Sequence, residues 1–191
     1  IYVNYQNVMV TMRQRPPFGI AQIGKAFRNE ISPGNFIFRS REFEQMEMQY
    51  FIHPNEADKW FEYWRQERWK WYLSIGIDEE RIHWHEHGPD ELAHYAKVAY
   101  DIEFDFPFGR KELEGVHNRG DFDLSRHQQY SGKNLEYTDN ITKEKFLPFI
   151  IETSGGVDRC TLAVLCDAYV VEPERNSDKM RTVLKMHPKL S

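Results

Sequence analysis

Two stretches early in the chain read as extended, and the second of them alternates in the pattern of a half-buried strand. Phe18–Glu30 mixes Gly19 and Gly24 with apolar residues as an extended segment, and Phe36–Ile52 returns as a longer one. From residue 43 this second run sets Phe43, Gln45, Glu47 and Gln49 on one face and Met46, Met48 and Tyr50 on the other. Between the runs lies Ser32-Pro33-Gly34-Asn35, a turn by composition, since proline presets φ while glycine and asparagine tolerate positive φ. The two runs therefore predict an antiparallel hairpin with polar groups on one face. Upstream, Ile1–Met12 suits a strand or a short helix that leads to the turn-forming Pro16-Pro17.

The period then lengthens. Asn55, with Asp58 three residues on, is a plausible N-cap for a helix that runs to about Ile75 and is ended by Gly76. Trp60, Trp64 and Trp71 share one side of it, a stripe that reads as core packing rather than as a base-stacking platform. Pro89–Ala99 reads as a second short helix, Ile102–Phe106 as a strand and Phe146–Glu152 as a short buried strand. Cys160–Val170 reads as an apolar helix, and Thr182–Met186 as a last strand before Pro188. Without regular βαβ spacing, the fold class expected is α+β with a mainly antiparallel sheet.

Composition narrows the function classes. The chain has 191 residues, which suits one domain, and 40% hydrophobic residues supply a core that excludes wholesale disorder. Against 30 Asp+Glu stand 25 Lys+Arg, a net charge of −5, so the chain is no generic DNA-coating protein and any nucleic-acid contact must rest on a local patch. The longest apolar run, around Cys160–Cys166, is far short of the roughly 18 residues of a membrane span, so no membrane partner is expected. Six residues apart on a helix, Cys160 and Cys166 would face different ways about 9 Å apart along the axis and could not bridge. With no disulfide framework and no signal peptide, a cytoplasmic setting is expected. The opening at Ile1, in an alternating Ile1, Val3, Tyr5 pattern, reads as part of a longer protein.

The densest chemistry lies on the hairpin, in Phe27-Arg28-Asn29-Glu30 and then Phe38-Arg39-Ser40-Arg41-Glu42-Phe43-Glu44-Gln45-Met46-Glu47. A solvated charged face would explain the charges but not the aromatics among them. Guanidinium forks match phosphate oxygens and a ring such as Phe43 can stack on a purine, so nucleotide binding is the functional alternative. The histidines of His83-Trp84-His85-Glu86-His87 suggest a metal, but no further paired ligands stand nearby and Gly88-Pro89 marks a loop. An exposed linker is expected there. Cys160 and Cys166 read as small buried residues with no activating base beside them.

The segment from Phe27-Arg28-Asn29-Glu30 to Arg41-Glu42-Phe43-Glu44-Gln45-Met46-Glu47 resembles motif 2 of a class II aminoacyl-tRNA synthetase. Glu152-Thr153-Ser154-Gly155-Gly156-Val157-Asp158-Arg159 resembles motif 3, a strand and glycines before an arginine at a helix start. Between them, Glu112-Leu113-Glu114-Gly115 and Arg119-Gly120-Asp121-Phe122-Asp123-Leu124 are similar to segments of the dimeric glycyl-tRNA synthetases. So are Pro17-Phe18-Gly19-Ile20-Ala21-Gln22-Ile23-Gly24-Lys25 and His94-Tyr95-Ala96-Lys97. Motif 2 or motif 3 alone would say little; the ordered series spans nearly the whole chain.

The resemblance implies an antiparallel sheet with flanking helices and ATP bent across it. Arg28 would clamp the α-phosphate, with Asn29, Glu30 and the stretch Phe38, Arg39, Ser40, Arg41, Glu42 and Phe43 holding the rest of ATP and the Phe43 ring under adenine. Arg159, the second residue expected to serve the chemistry, would cover adenine's other side and reach toward the γ-phosphate, with Gly156, Val157 and Asp158 beside it. Glu112 would help to hold Mg²⁺ on the phosphates, with Leu113 at the same ATP-facing spot. The glycine pocket would run through Phe43, Glu44, Gln45, Met46 and Glu47, and through Glu152, Thr153, Ser154, Gly155 and Gly156. Glu47, Glu114 and Glu152 are the carboxylates expected to meet the ammonium, and Arg119 would meet the carboxylate of glycine or order those acids. The Gly155-Gly156 pair suits close approach to a small ligand or a plain turn.

By the same resemblance the chain is a catalytic core without motif 1, without the anticodon-binding domain and without the stretch just upstream that completes the amino-acid pocket. The partners implied are glycine, tRNA(Gly) and, in the full-length protein, a second copy. Two rivals stand beside this reading. One is a synthetase-like accessory protein that binds nucleic acid without chemistry, which should have lost the ATP-clamping arginines. The other is an enzyme of the same fold that loads another small amino acid onto a carrier other than tRNA.

Overall fold

In the computed structural model the expected hairpin is built from β1 (Phe18–Phe27) and β2 (Glu42–Ile52), paired antiparallel from Phe18 opposite Phe51 to Phe27 opposite Glu42. The structure describes residues 1–88, 90–93, 96–176 and 178–190. Before the hairpin stands α1 (Tyr5–Thr11), the helical alternative for the first segment. After it come α2 (Ala57–Ser74), β3 (Ile82–Glu86), β4 (Val98–Phe106), β5 (Gly109–Gly120) and α3 (Phe122–Ser131). Two short strands, β6 (Tyr137–Thr138) and β7 (Lys145–Phe146), precede β8 (Phe149–Gly156), α4 (Val157–Ala168), β9 (Tyr169–Pro173) and β10 (Met180–Leu184). Six strands form one antiparallel sheet in the order β1-β2-β8-β5-β4-β3, so the α+β class expected from the sequence is the class observed. Among the described residues no helix is long and apolar enough to cross a membrane.

Several local expectations are corrected. The second extended run starts at Glu42 rather than Phe36, because Asn35 and Phe36 take positive φ and Phe36–Phe38 coils into a 3-10 turn. That turn buries Phe38 against Phe106, with ring centroids 5.2 Å apart. Asn55 does not cap α2; it lies in a 3-10 turn, Pro54–Glu56, where the His53 side chain accepts its backbone N–H. Gly76 does follow the end of α2, at φ +96, and a Cβ there would meet the His187 side chain. No helix forms over the described part of Pro89–Ala99: Asp90 and Glu91 turn, and Val98 already belongs to β4. Burial of Ala99, Ile102, Phe104 and Phe106 favours the strand there. Pro89, His94 and Tyr95 lie outside the described residues, and with them part of the His94-Tyr95-Ala96-Lys97 match and of the Gly88-Pro89 loop. The strand read as Phe146–Glu152 is two, β7 and β8, and the terminal helix is α4, which starts at Val157 and ends at Ala168.

The sheet has a helical side and a site side. On the helical side α2 and α4 cover a core that includes Ile52, Phe61, Tyr72, Ile102, Phe104, Val116, Ile151 and Ala163. Trp60 and Trp64 flank Tyr50 at 5.1 Å each and Trp71 lies against Tyr72, so the tryptophan stripe packs as expected. On the site side, one end of the strands is closed by α1 and α3, which bury Tyr5 and Leu124 against Phe18, Phe51 and Ile150. The rest of that face stays open.

A bulge where β5 passes Ile102 and Glu103 decides which β5 side chains see it. Ile102 pairs with Glu114 and Glu103 with Glu112, which leaves Leu113 as the extra residue. Leu113 and Glu114 are both buried on the helical side, among Tyr72 and its neighbours. Arg68 of α2 clamps Glu114 at 2.5 and 2.9 Å and the Tyr72 hydroxyl donates to it at 2.7 Å. Glu114 thus anchors α2 rather than lining the pocket expected of it. Removing one partner of a buried ion pair strands the other, so Glu114→Ala should lower unfolding stability by about 3 kcal/mol. Urea titration of the wild type and the variant checks this; an unchanged midpoint would deny Glu114 its anchoring role.

Candidate active site

The open part of the site side holds a groove between the hairpin and the start of α4. Arg28, Glu30, Phe38, Arg39, Ser40 and Phe43 line one wall, and Glu112, Gly156, Asp158 and Arg159 the other. These ten are the expected nucleotide residues that the fold brings together. The backbone N–H of Arg28 donates to Arg41 at 3.0 Å, which closes the hairpin, and its guanidinium stands 5.4 Å from the Phe43 ring. Arg159 stacks on Phe38 at 4.4 Å, donates to the Phe38 carbonyl at 3.1 Å and pairs with the Glu112 carboxylate at 3.2 Å. Asp158 accepts the Glu44 backbone N–H at 2.8 Å and so ties the first turn of α4 to β2.

Five expected nucleotide residues do not line the groove. Asn29 is exposed beside it. The Arg41 guanidinium is turned to the Glu30 carbonyl at 3.0 Å, and Glu42 is ion-paired with Lys25 across the hairpin. Val157 is the first residue of α4, and Leu113 belongs to the core. Gly155 and Gly156 are extended rather than a turn: Gly155 pairs with Met46 in β8, and Gly156 sits at φ −80 as the residue before α4. A Cβ on Gly155 would press on Met46 of the helical side at 3.1 Å, so its missing side chain makes room for packing there, while Gly155 itself also lines the groove. Met46 itself faces that side, as the alternation predicts. Thr153, which pairs with Met48, is buried there as well.

Next to the groove the expected amino-acid residues form a row across the strands. Glu47 of β2 pairs with Ser154 of β8, and Gln49 with Glu152. Gln45 donates to Ser154 at 2.6 Å and to Glu47 at 3.3 Å. Gln49 donates to Glu47 at 2.6 Å and to Glu152 at 2.5 Å. Glu152 also receives Arg119 at 3.1 and 3.2 Å and His117 at 3.0 Å. Arg119 is held in turn by Asp123 at 2.7 and 2.9 Å, so it bridges Glu152 and Asp123.

The two carboxylates of the row differ in charge balance. Burial alone would raise the Glu152 carboxyl, but the His117 hydrogen bond and the Arg119 charge outweigh it and hold it below the usual range. Burial would likewise lower His117, yet its bonds to Asp101 and Glu152 lift it to about 9, so it is cationic at neutral pH. Glu152 therefore meets two cations. Among the described residues Glu47 has hydrogen bonds only from the neutral amides of Gln45 and Gln49, and no cationic side chain is paired with it.

Sequence reasoning left three members of this row unassigned: Gln49, His117 and Asp101. Gln49 already stood on the same face as Glu47 by alternation, and His117 stands two residues from Arg119, which is the signal that could have found them. His117 folds back over Gly115, where a Cβ would come within 2.8 Å of the imidazole. The His83–His87 cluster is not a linker; it runs through edge strand β3, where Ile82 is buried and Trp84 packs beneath the sheet. His83 pairs with Asp105 at 2.9 Å, His85 with Glu91 at 3.3 Å and His87 with Asp101 at 2.8 Å. Cys160 and Cys166 are unpaired and partly buried in α4, and burial pushes the Cys160 thiol up to about 11, which leaves it un-ionised at neutral pH.

The family profile of the tRNA synthetase class II core domain (G, H, P, S and T) matches residues 4–169. Curated relatives include the glycine–tRNA ligases of Treponema denticola, 56% identical over 195 residues, and of Chlorobaculum tepidum, 55% identical over 192. Each match covers all of this chain, which spans 43% and 40% of their respective lengths. Among solved structures, the seryl-tRNA synthetase of Pyrococcus horikoshii complexed with ATP superposes with a TM-score of 0.69 over 81% of this chain and 34% of its own, at 18% identity. The shared sheet and a profile that runs from α1 through the groove to the end of α4 lead to one statement: the chain belongs to the class II tRNA synthetase core family.

Proposed function

We propose that the protein to which this chain belongs is a glycine–tRNA ligase, which activates glycine with ATP and passes it to the 3′ end of tRNA(Gly). The observation that carries this reading is the uncompensated Glu47 carboxylate beside a groove lined by three arginines. An ammonium needs such a charge, and a triphosphate needs such arginines. The identity of 50–56% to glycine–tRNA ligases supports the choice of amino acid.

In this reading Phe43 carries the adenine and Arg159 covers it from the α4 side, where the helix N-terminus favours negative charge. Arg28 faces the α-phosphate. A carboxylate oxygen of glycine attacks the α-phosphorus, the bond to the β-phosphate bridging oxygen breaks, and pyrophosphate leaves with the electron pair. Arg28 stabilises the negative charge that builds during this step. No protein nucleophile is required, because the work is positioning and charge neutralisation. A ribose hydroxyl at the tRNA 3′ end then attacks the glycyl carbonyl and releases AMP. Glu47 binds the ammonium, and the linked side chains of Gln45, Ser154 and Glu47 fill the space that a larger amino acid would need.

The residues present suit Mg²⁺ brought with ATP. The groove is lined by three arginines and by three carboxylates, Glu30, Glu112 and Asp158, so it holds no net charge to match a triphosphate. Glu112 is half-exposed at its rim, and one carboxylate plus phosphate oxygens is an ordinary Mg²⁺ set. Bound there, the ion would screen phosphate charge. A homodimer, a cytoplasmic setting and the absence of DNA and membrane partners complete the proposal.

Amino-acid-dependent ATP–pyrophosphate exchange in the full-length protein, run with all twenty amino acids, tests the reading; exchange with glycine alone is expected, and none with any would favour the accessory-protein alternative. Arg28→Ala should lower glycine-dependent exchange by about 100-fold or more. The same change should leave the thermal midpoint nearly fixed, since Arg28 is exposed. Retained exchange would remove Arg28 from the α-phosphate. Glu47→Ala should raise the glycine KM about 10-fold or more with the ATP KM near that of the wild type. Equal losses for both substrates would instead assign Glu47 a structural role.

A further inference from the structure

Gln49 lies at the centre of the acid row, and the reaction as described gives it no task. It is fully buried, and its amide nitrogen donates to Glu47 at 2.6 Å and to Glu152 at 2.5 Å. Ionised carboxylates only accept, so both amide hydrogens must point at the two acids. The carbonyl oxygen of Gln49 is thereby turned away and is buried without a donor. Leaving a buried acceptor unmet is costly, which marks the orientation as one imposed by the acids.

The alternatives at this position show what the amide accomplishes. A cationic side chain would cancel the charge of Glu47, as Arg119 and His117 already do for Glu152. An apolar one would leave Glu47 held by the longer 3.3 Å bond from Gln45 alone. A neutral double donor fixes the carboxylate and leaves its charge in place. We propose that Gln49 is a positioning residue for ammonium recognition: it holds Glu47 in the orientation that meets the amino group of the substrate, and braces it against the Glu152–Arg119–His117 cluster without neutralising it. This rests on the reading of the protein as a glycine-activating enzyme.

The test uses the full-length protein and glycine-dependent ATP–pyrophosphate exchange. Gln49→Met should raise the glycine KM about 10-fold or more, with kcat and the ATP KM changed by less than about twofold. An unchanged glycine KM, or equal rises for both substrates, would overturn the proposal. Should that variant fail to fold, Gln49→Glu decides. Its added carboxyl would face Glu47 and Glu152, with Arg119, His117, Tyr2 and Asp123 around the same cluster. Protonated, it can donate to Glu47; ionised, it repels it. Burial and the two neighbouring carboxylates raise the new carboxyl, so its glycine KM relative to the wild type should rise across about pH 5 to about pH 9, and a ratio that stays flat would overturn the proposal. A wild type with no glycine-dependent exchange at all would sink the underlying reading, and this inference with it, before any variant is compared.

Discussion

Because Glu47 pairs with Ser154, and Gln49 with Glu152, the register between β2 and β8 fixes where the two acids of the row, Glu47 and Glu152, stand relative to each other. A slip of one residue would send Glu47 and Gln49 to the helical side and bring Met46 and Met48 into the open face. Such a slip is opposed at both ends of the strand. At one end Phe51 and Ile150 are buried with Tyr5 and Leu124; at the other Asp158 grips the Glu44 amide. The hydrophobic plug and the Asp158 tether thus hold one coordinate, and the acid row and the groove inherit it.

Along β2 the site face changes character in order. Phe43 belongs to the groove, Gln45 bridges it to the row, Glu47 is held by amides, Gln49 is sealed and Phe51 is core. At ~3.3 Å per residue, Phe43 and Glu47 are about 13 Å apart along the strand. That separation suits a base at one end and an amino group at the other, joined through a phosphate. The increasing burial also explains the charge chemistry. Toward the plug, acids survive only with cationic partners, as Glu152 does, whereas Glu47, nearer the opening, is held by amides.

The parts of this arrangement that rest on period two were legible in the chain: the hairpin and the split between the Glu47 and Met48 faces. The groove residues were expected from the resemblance of the two motifs, not from periodicity. What was not legible depends on single backbone events. The positive φ of Asn35 and Phe36 coils a segment whose composition reads as strand, and that coil carries Phe38 into the core. One extra residue at Leu113 separates Glu112 from Glu114, so two acids of one motif end on opposite sides of the sheet. Neither event leaves a pattern over several residues. The third kind of miss, His117 and Gln49, concerns partners rather than elements: only pairing across strands shows which carboxylate each one meets.

The three groove arginines differ in what binding asks of them. Arg28 and Arg39 are exposed, whereas Arg159 is already stacked on Phe38 and bonded to the backbone carbonyls of Phe38 and Glu112. A free arginine side chain loses up to about 2 kcal/mol of rotamer entropy when it is immobilised. For Arg159 that loss falls within folding; for Arg28 and Arg39 it would, in the proposed function, fall within nucleotide capture. The α4 wall of the groove is thus a rigid template and the hairpin wall an adaptable clamp, so the two walls should contribute to affinity with opposite balances of enthalpy and entropy.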